Sequence, residues 1–175
     1  MDFYRVGDKL ISEEKLYRTI EKILTLRASG LSQVEVAQKI GCDRTFISRL
    51  ETLAQVRKGG SVGIIGFPLK NTKEIEEYAQ KVGVDFTFLM TDKERWEYIQ
   101  TRSGLELLND VMGLITKLQD FDTVIMIGSD MRIKLAEALL GEKAVGIKIG
   151  ESPIEEDIEL PVSELERIIT AIKGN

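Results

Sequence analysis

Two periodicities divide the chain. Between residues 12 and 50 apolar positions recur at helical spacing. Leu16, Ile20, Ile23 and Leu24 share one face of a first helix, Val36, Ala37 and Ile40 one face of a second, and Phe46, Ile47 and Leu50 one face of a third. The ends are punctuated. Ser12 is placed to cap the first helix, whose opening turn carries Glu13 and Glu14, and Gly30 stops it. Ser32 with Glu35 has the spacing of a capping box, and Gly41 permits a sharp turn. A second helix is expected over residues 33–40 and a third from near Arg44, with Arg44, Thr45, Ser48 and Arg49 largely off its apolar side.

Beyond residue 60 the pattern changes. Residues 61–67, 84–90, 123–128 and 144–149 are short apolar runs rich in Val and Ile, which predicts strands buried on both faces. Helix starts are expected between them, at Asn71 with Glu74, Thr91 with Glu94, Ser103 with Glu106 and Ser163 with Glu166, all at capping-box spacing. Residues 158–162 suggest a short edge strand. The connection over 92–120 has room for two helices broken near 101–104, and the second carries the stripe Leu108, Val111, Met112 and Ile115, suited to a sheet or to a twin subunit. Strand-helix-strand alternation implies right-handed crossovers. The expected fold is thus α/β: an N-terminal all-α head over 1–58, then a doubly wound, mainly parallel Rossmann-like sheet of four to five strands over 61–175. Arg57-Lys58-Gly59-Gly60 marks the boundary.

Composition removes several chemistries. The 175 residues are 43% hydrophobic and 30% charged, sufficient for packed domains. The longest apolar stretches fall far short of the ~20 residues of a membrane span, and no basic-then-apolar leader opens the chain, so a soluble cytoplasmic protein without membrane partners is expected. One cysteine excludes an internal disulfide, and the absence of His excludes a His/Cys zinc site and imidazole acid–base chemistry. Cys42 is expected to pack as a small core residue. Charge is unevenly spread. Residues 1–60 hold 11 Lys/Arg against 8 Asp/Glu, and residues 61–175 hold 13 against 21. A basic head suits a polyanion and an acidic body does not.

The segment over 30–51, GLSQVEVAQKIGCDRTFISRLE, resembles a helix-turn-helix of the Cro/repressor type, the xenobiotic-response-element family. Ala37 stands where two helices approach closely, Gly41 at the turn, and Ile47 and Leu50 where the last helix plugs into the core. The resemblance implies a recognition helix laid in the major groove of double-stranded DNA. It places Gln33 on a phosphate at the start of the supporting helix, and turns Asp43, Arg44, Thr45, Ser48 and Arg49 toward the groove. Arg44 or Arg49 would fork onto guanine. Members of that family continue with two further helices, whereas here only residues 52–58 precede the glycines. Either the head is a minimal three-helix form or the third helix runs long.

For the body, ligands of doubly wound sheets lie beyond the carboxyl ends of the strands. That singles out the turns at Gly66-Phe67-Pro68, Gly128-Ser129-Asp130 and Gly150-Glu151-Ser152 as an effector site, with Ser129 opening a helix whose amino end suits an anion. The competing reading makes Ser129 and Asp130 ordinary caps. Asp92 falls where a dinucleotide-binding acid would, but the glycine fingerprint is incomplete, and neither a Walker loop nor a Gly-x-Ser-x-Gly elbow occurs. No cofactor and no enzymatic activity are expected. The favoured reading is a homodimeric, sequence-specific DNA-binding transcription regulator on a palindromic operator, whose body dimerises and senses a small-molecule effector. A small nucleotide-binding protein or enzyme with a DNA-targeting head is the alternative, and a third reading makes the head a protein-interaction module.

Overall fold

The computed structural model describes residues 3–55 and 60–174, and the chain divides into two compact units, Met1–Gln55 and Val56–Asn175. Of the expected boundary only Gly60 is among the described residues; Arg57, Lys58 and Gly59 lie outside them. No helix among the described residues is long and apolar enough to cross a membrane.

The first unit holds three helices, α1 (Glu13–Ala28), α2 (Gln33–Ile40) and α3 (Arg44–Leu53). Their starts follow the expected chemistry. Ser12 accepts from the Lys15 amide, Ser32 and Glu35 close a reciprocal capping box, and Asp43 accepts from the Thr45 amide at 2.6 Å. Gly41 ends α2 with φ of 78°, a left-handed conformation that disfavours side chains with a Cβ. Ile23, Val36, Ala37 and Ile47 form the core, with Leu26, Leu31, Ile40, Cys42 and Leu50 packed against it. The unit is not all-α, however. An antiparallel hairpin, β1 (Phe3–Val6) and β2 (Lys9–Ser12), precedes α1, with Gly7 at positive φ in its turn. Its Phe3, Tyr4, Val6 and Leu10 are exposed, so no buried-face alternation announces these strands.

The second unit is a parallel sheet of β3 (Val62–Gly66), β4 (Phe86–Leu89), β5 (Thr123–Ser129) and β6 (Ala144–Gly150), in the order β4-β3-β5-β6. Five helices accompany it: α4 (Thr72–Lys81), α5 (Asp92–Gln100), α6 (Gly104–Gln119), α7 (Asp130–Leu140) and α8 (Val162–Lys173). β3 and β5 are buried throughout, paired from Val62 opposite Thr123 to Gly66 opposite Ile127. The edge strands β4 and β6 are only partly buried, contrary to the expectation of four strands covered on both faces. One face carries branched aliphatics, with Val62, Ile64, Ile125, Ile127 and Ile147 against Ile75, Ala79, Leu165, Ile169 and Ile172 of α4 and α8. The other carries Ile65, Val124 and Met126, met by Leu114 and Leu118 of α6 and Ile133, Ala136 and Leu140 of α7.

Two expected starts are corrected. Asn71 does not cap α4, because its amide is spent on Leu160: Nδ2 donates to the Leu160 carbonyl at 2.8 Å and the Leu160 amide donates back at 3.1 Å. Residues 158–162 accordingly form no edge strand beyond a single parallel bridge from Leu69 to Ile158, and Val162 already belongs to α8. Ser163 is therefore inside the helix, with Pro161 in the cap position. The Thr91–Glu94 and Ser103–Glu106 capping boxes are both closed.

Ile125 is fully buried at the centre of the sheet. Ile125→Ala is expected to cost roughly 2–5 kcal/mol by lost burial and the cavity left behind. Urea denaturation followed by the fluorescence of Trp96, the only tryptophan and a residue of the second unit, checks it.

Candidate functional site

In the first unit, the polar residues singled out on α2 and α3 converge on a short chain of charged hydrogen bonds. Arg27 of α1 donates from Nε to Glu51 at 2.5 Å and from Nη1 to the Leu31 carbonyl. Glu51 of α3 accepts from Gln33 of α2 at 2.8 Å, and Gln33 accepts in turn from Arg44 Nε at 3.3 Å. One carboxylate thereby ties all three helices together. The Arg27 hydrogen bond, and then that of Gln33, hold the Glu51 carboxyl below its ordinary pKa.

These bonds sort the six residues. Arg44, Thr45 and Arg49 are exposed on α3, and Ser48, one turn beyond Arg44, is half-buried. Ile47, opposite Thr45 and Arg49 on the helix, is fully buried. Arg49 makes no ion pair among the described residues, whereas Gln33 is committed to Glu51 and Arg44. Asp43 is exposed at the start of α3, where its carboxylate caps the helix, and the Thr45 hydrogen bond holds its pKa below the usual value. The third helix ends at Leu53.

In the second unit, the strand order reverses between β3 and β5, and both strands end beside one another. The residues expected to hold an effector there have mostly structural uses. Gly66 is enclosed: a Cβ would lie 2.6 Å from Leu69 Cδ1 and 3.1 Å from both Ile127 and Leu89, so the core packing there requires a residue without a side chain. Asp92 pairs with Arg95 in the first turn of α5, and its amide donates to Asp157 at 2.6 Å. Asp130 accepts from the Ser152 amide at 2.9 Å, which is the main reason its carboxyl titrates low. Ser129 is fully buried and makes no side-chain cap; its hydroxyl accepts weakly from Arg132 at 3.4 Å. Gly128 lies under Arg132, whose Cβ would stand 3.4 Å from an added Cβ. Phe67 is the one that faces open space, and the Arg132 guanidinium stacks over its ring at 4.8 Å.

That space is a cavity of about 600 Å³ over the second sheet face, lined by Phe67, Phe86 and Phe88 below, by Arg95 and Tyr98 of α5 and by Arg102 just beyond that helix. An adjoining apolar volume of about 270 Å³ runs between α6 and α7 and shares Phe67, Val111, Leu114 and Arg132 with it. Its wall is tied together at the rim. Tyr98 donates to Asp110 at 2.6 Å, Arg102 pairs with the same carboxylate at 2.9 Å, and the Tyr98 ring meets Phe88 edge-on at 6.3 Å. Arg95, Tyr98, Arg102 and Lys117 are the residues that sequence reasoning missed. The available signal was the three- and four-residue spacing of Arg95, Tyr98 and Arg102, the first two on α5 and the third just past its end. Among the described residues no group of three or more Asp, Glu or Cys side chains is placed to hold a metal.

Set against protein-family models, characterised proteins and solved structures, the chain matches none.

Because folded Glu51 titrates below its unfolded value, its stabilisation is complete above the unfolded pKa and is lost as pH falls through the folded one. Glu51→Gln should therefore lower the melting temperature of the first unit at neutral pH, with the gap closing as acid is added. Far-UV circular dichroism melts of both proteins across the acid range test this; a gap that stays constant would remove the carboxylate from the account.

Proposed function

We propose that this chain is a sequence-specific DNA-binding transcription regulator of the Cro/repressor helix-turn-helix type, acting as a homodimer on a palindromic operator. The observation that carries the reading is α3. Its apolar side is anchored by Ile47, while Thr45 and Arg49 stand exposed along the other side and Arg44 stands exposed at its start, in the more basic part of the chain. Such a helix offers forked cations and short hydroxyls to base edges and phosphates. Arg49 is the better candidate for direct base contact, since Arg44 shares its Nε with Gln33. Gln33, held by Glu51, supports α3 from the start of α2 and retains an amide hydrogen for a phosphate.

A single small module makes few base contacts, and pairing on two half-sites is the usual remedy. The outer stripe of α6 supplies a surface for it, with Leu105, Leu108 and Met112 exposed at helical spacing. Val111, expected in the same stripe, is exposed with them and also borders the cavity, and Ile115 is half-buried there. The acidic second unit would stay off the DNA and carry dimerisation and effector sensing.

Fluorescence anisotropy with labelled duplexes from the protein's own promoter and of random sequence tests this, titrated at several salt concentrations. Arg49→Ala is expected to weaken promoter binding by about 1–3 kcal/mol and to narrow the preference over random sequence. Equal binding of both duplexes by both proteins would overturn sequence-specific reading, and no binding at low salt would leave the first unit as a protein-interaction module. Leu108→Asp should shift the sedimentation coefficient from dimer to monomer; a wild-type protein that sediments as a monomer at micromolar concentration removes the pairing.

A further inference from the structure

The second unit is acidic, yet four of its cations line one cavity. Arg95, Arg102, Lys117 and Arg132 share the 600 Å³ space with a single carboxylate, Asp110. Asp110 is taken by Arg102 and Tyr98, and Arg95 has Asp92 on one nitrogen. Arg132 and Lys117 have no ion pair among the described residues; each lies instead over an aromatic ring, Phe67 at 4.8 Å and Phe86 at 3.9 Å. The Arg95 Nε is buried with no hydrogen-bond partner. A buried cationic N–H left without an acceptor is costly, and an anion is the group that relieves it. Burial, and then the Arg95 charge, also press the Arg132 pKa below its usual value, as two like charges at one wall require.

Next to these cations the surface turns apolar. The adjoining volume of about 270 Å³ is walled by Val111, Leu114, Ile115, Leu135 and Leu139, and Leu135 and Leu139 are otherwise exposed. A cationic wall opening on an apolar trough matches a molecule with an anionic head and an apolar body, and the larger volume is of the size used for small-molecule ligands, roughly 300–1,000 Å³.

We infer that this cavity binds a small organic anion, its carboxylate or phosphate head held by Arg95 and Arg132 and its apolar body lying between α6 and α7. If the regulatory reading above holds, this anion is the effector; the binding itself does not depend on that reading and is measured without DNA.

Isothermal titration of the full chain with decanoate and 3-phenylpropionate, against decanol and inorganic phosphate, provides the test. At least one of the two carboxylates should bind saturably at one site per chain, with decanol and phosphate each weaker by about tenfold or more, since neither offers both halves of the match. Arg132→Gln should weaken the bound carboxylate by about tenfold while leaving decanol unchanged, and Arg132→Lys should fall between, keeping the charge and losing the fork. Leu135→Asp should remove binding of the same carboxylate. Decanol binding as tightly as decanoate would overturn the assignment, as would the absence of binding by both carboxylates; the comparison on the unaltered protein decides even where a variant does not fold. Carboxylate binding together with failure to bind DNA would remove only the regulatory reading.

Discussion

Everything in the second unit hangs on the pairing of β3 with β5. Both strands are buried along their whole length, so every side chain on either face must meet a covering element. The two faces meet that demand differently. On one, Ile64, Ile125, Ile127 and Ile147 interlock with α4 and α8 into a closed aliphatic layer. On the other, the alternate positions include Gly63, Gly128 and Gly146, so the sheet offers hollows instead of branched side chains. Phe121, Arg132 and Ile133 are keyed into those hollows, at 3.2, 3.4 and 2.4 Å from where a Cβ would stand. This layer closes around Phe121 and Ile133 and stays open beyond Phe67 and Phe88, where the cavity lies.

The first unit solves a smaller version of the same problem. Among the described residues Ile23, Val36, Ala37 and Ile47 are its buried apolar side chains, a modest core for three helices. The Arg27–Glu51–Gln33–Arg44 chain adds direction to what burial alone leaves loose, because hydrogen bonds fix relative orientation where aliphatic contacts do not. One end of that chain is Arg44, at the start of the helix whose outer side carries Thr45 and Arg49. The group that sets the angle of α3 is therefore linked to one of the side chains that α3 presents.

Much of this layout was legible along the chain. The first two helices of the first unit begin where Ser12 and Ser32 mark them, the third begins at Arg44 as the apolar spacing predicts, and all four parallel strands coincide with the Val/Ile-rich runs. What escaped had physical reasons. The Phe3–Ser12 hairpin exposes its apolar residues, so period-two burial never appears. Asn71 has the residue type and spacing of a cap, yet a partner 89 positions away claims its amide. The glycines after strands, taken as openings for a ligand, proved to be close contacts within the protein in the case of Gly66. The cationic cavity draws on α5, α6, α7, β4 and the turn after β3, and no local window of sequence contains that set.

The strand order has one more consequence. With β6 outermost, its outer backbone groups have no neighbouring strand among the described residues, which is the arrangement that invites a foreign chain to extend the sheet. The strand carries its own deterrents. Its register with β5 breaks at Gly128/Ser129, a local irregularity that spoils a flat template, and Lys148 projects an exposed charge beside it. The loop that follows leads directly into Pro153, which has no amide hydrogen to offer an incoming strand. The outer margin of β6 is thus irregular and charged, a poor template for a foreign strand.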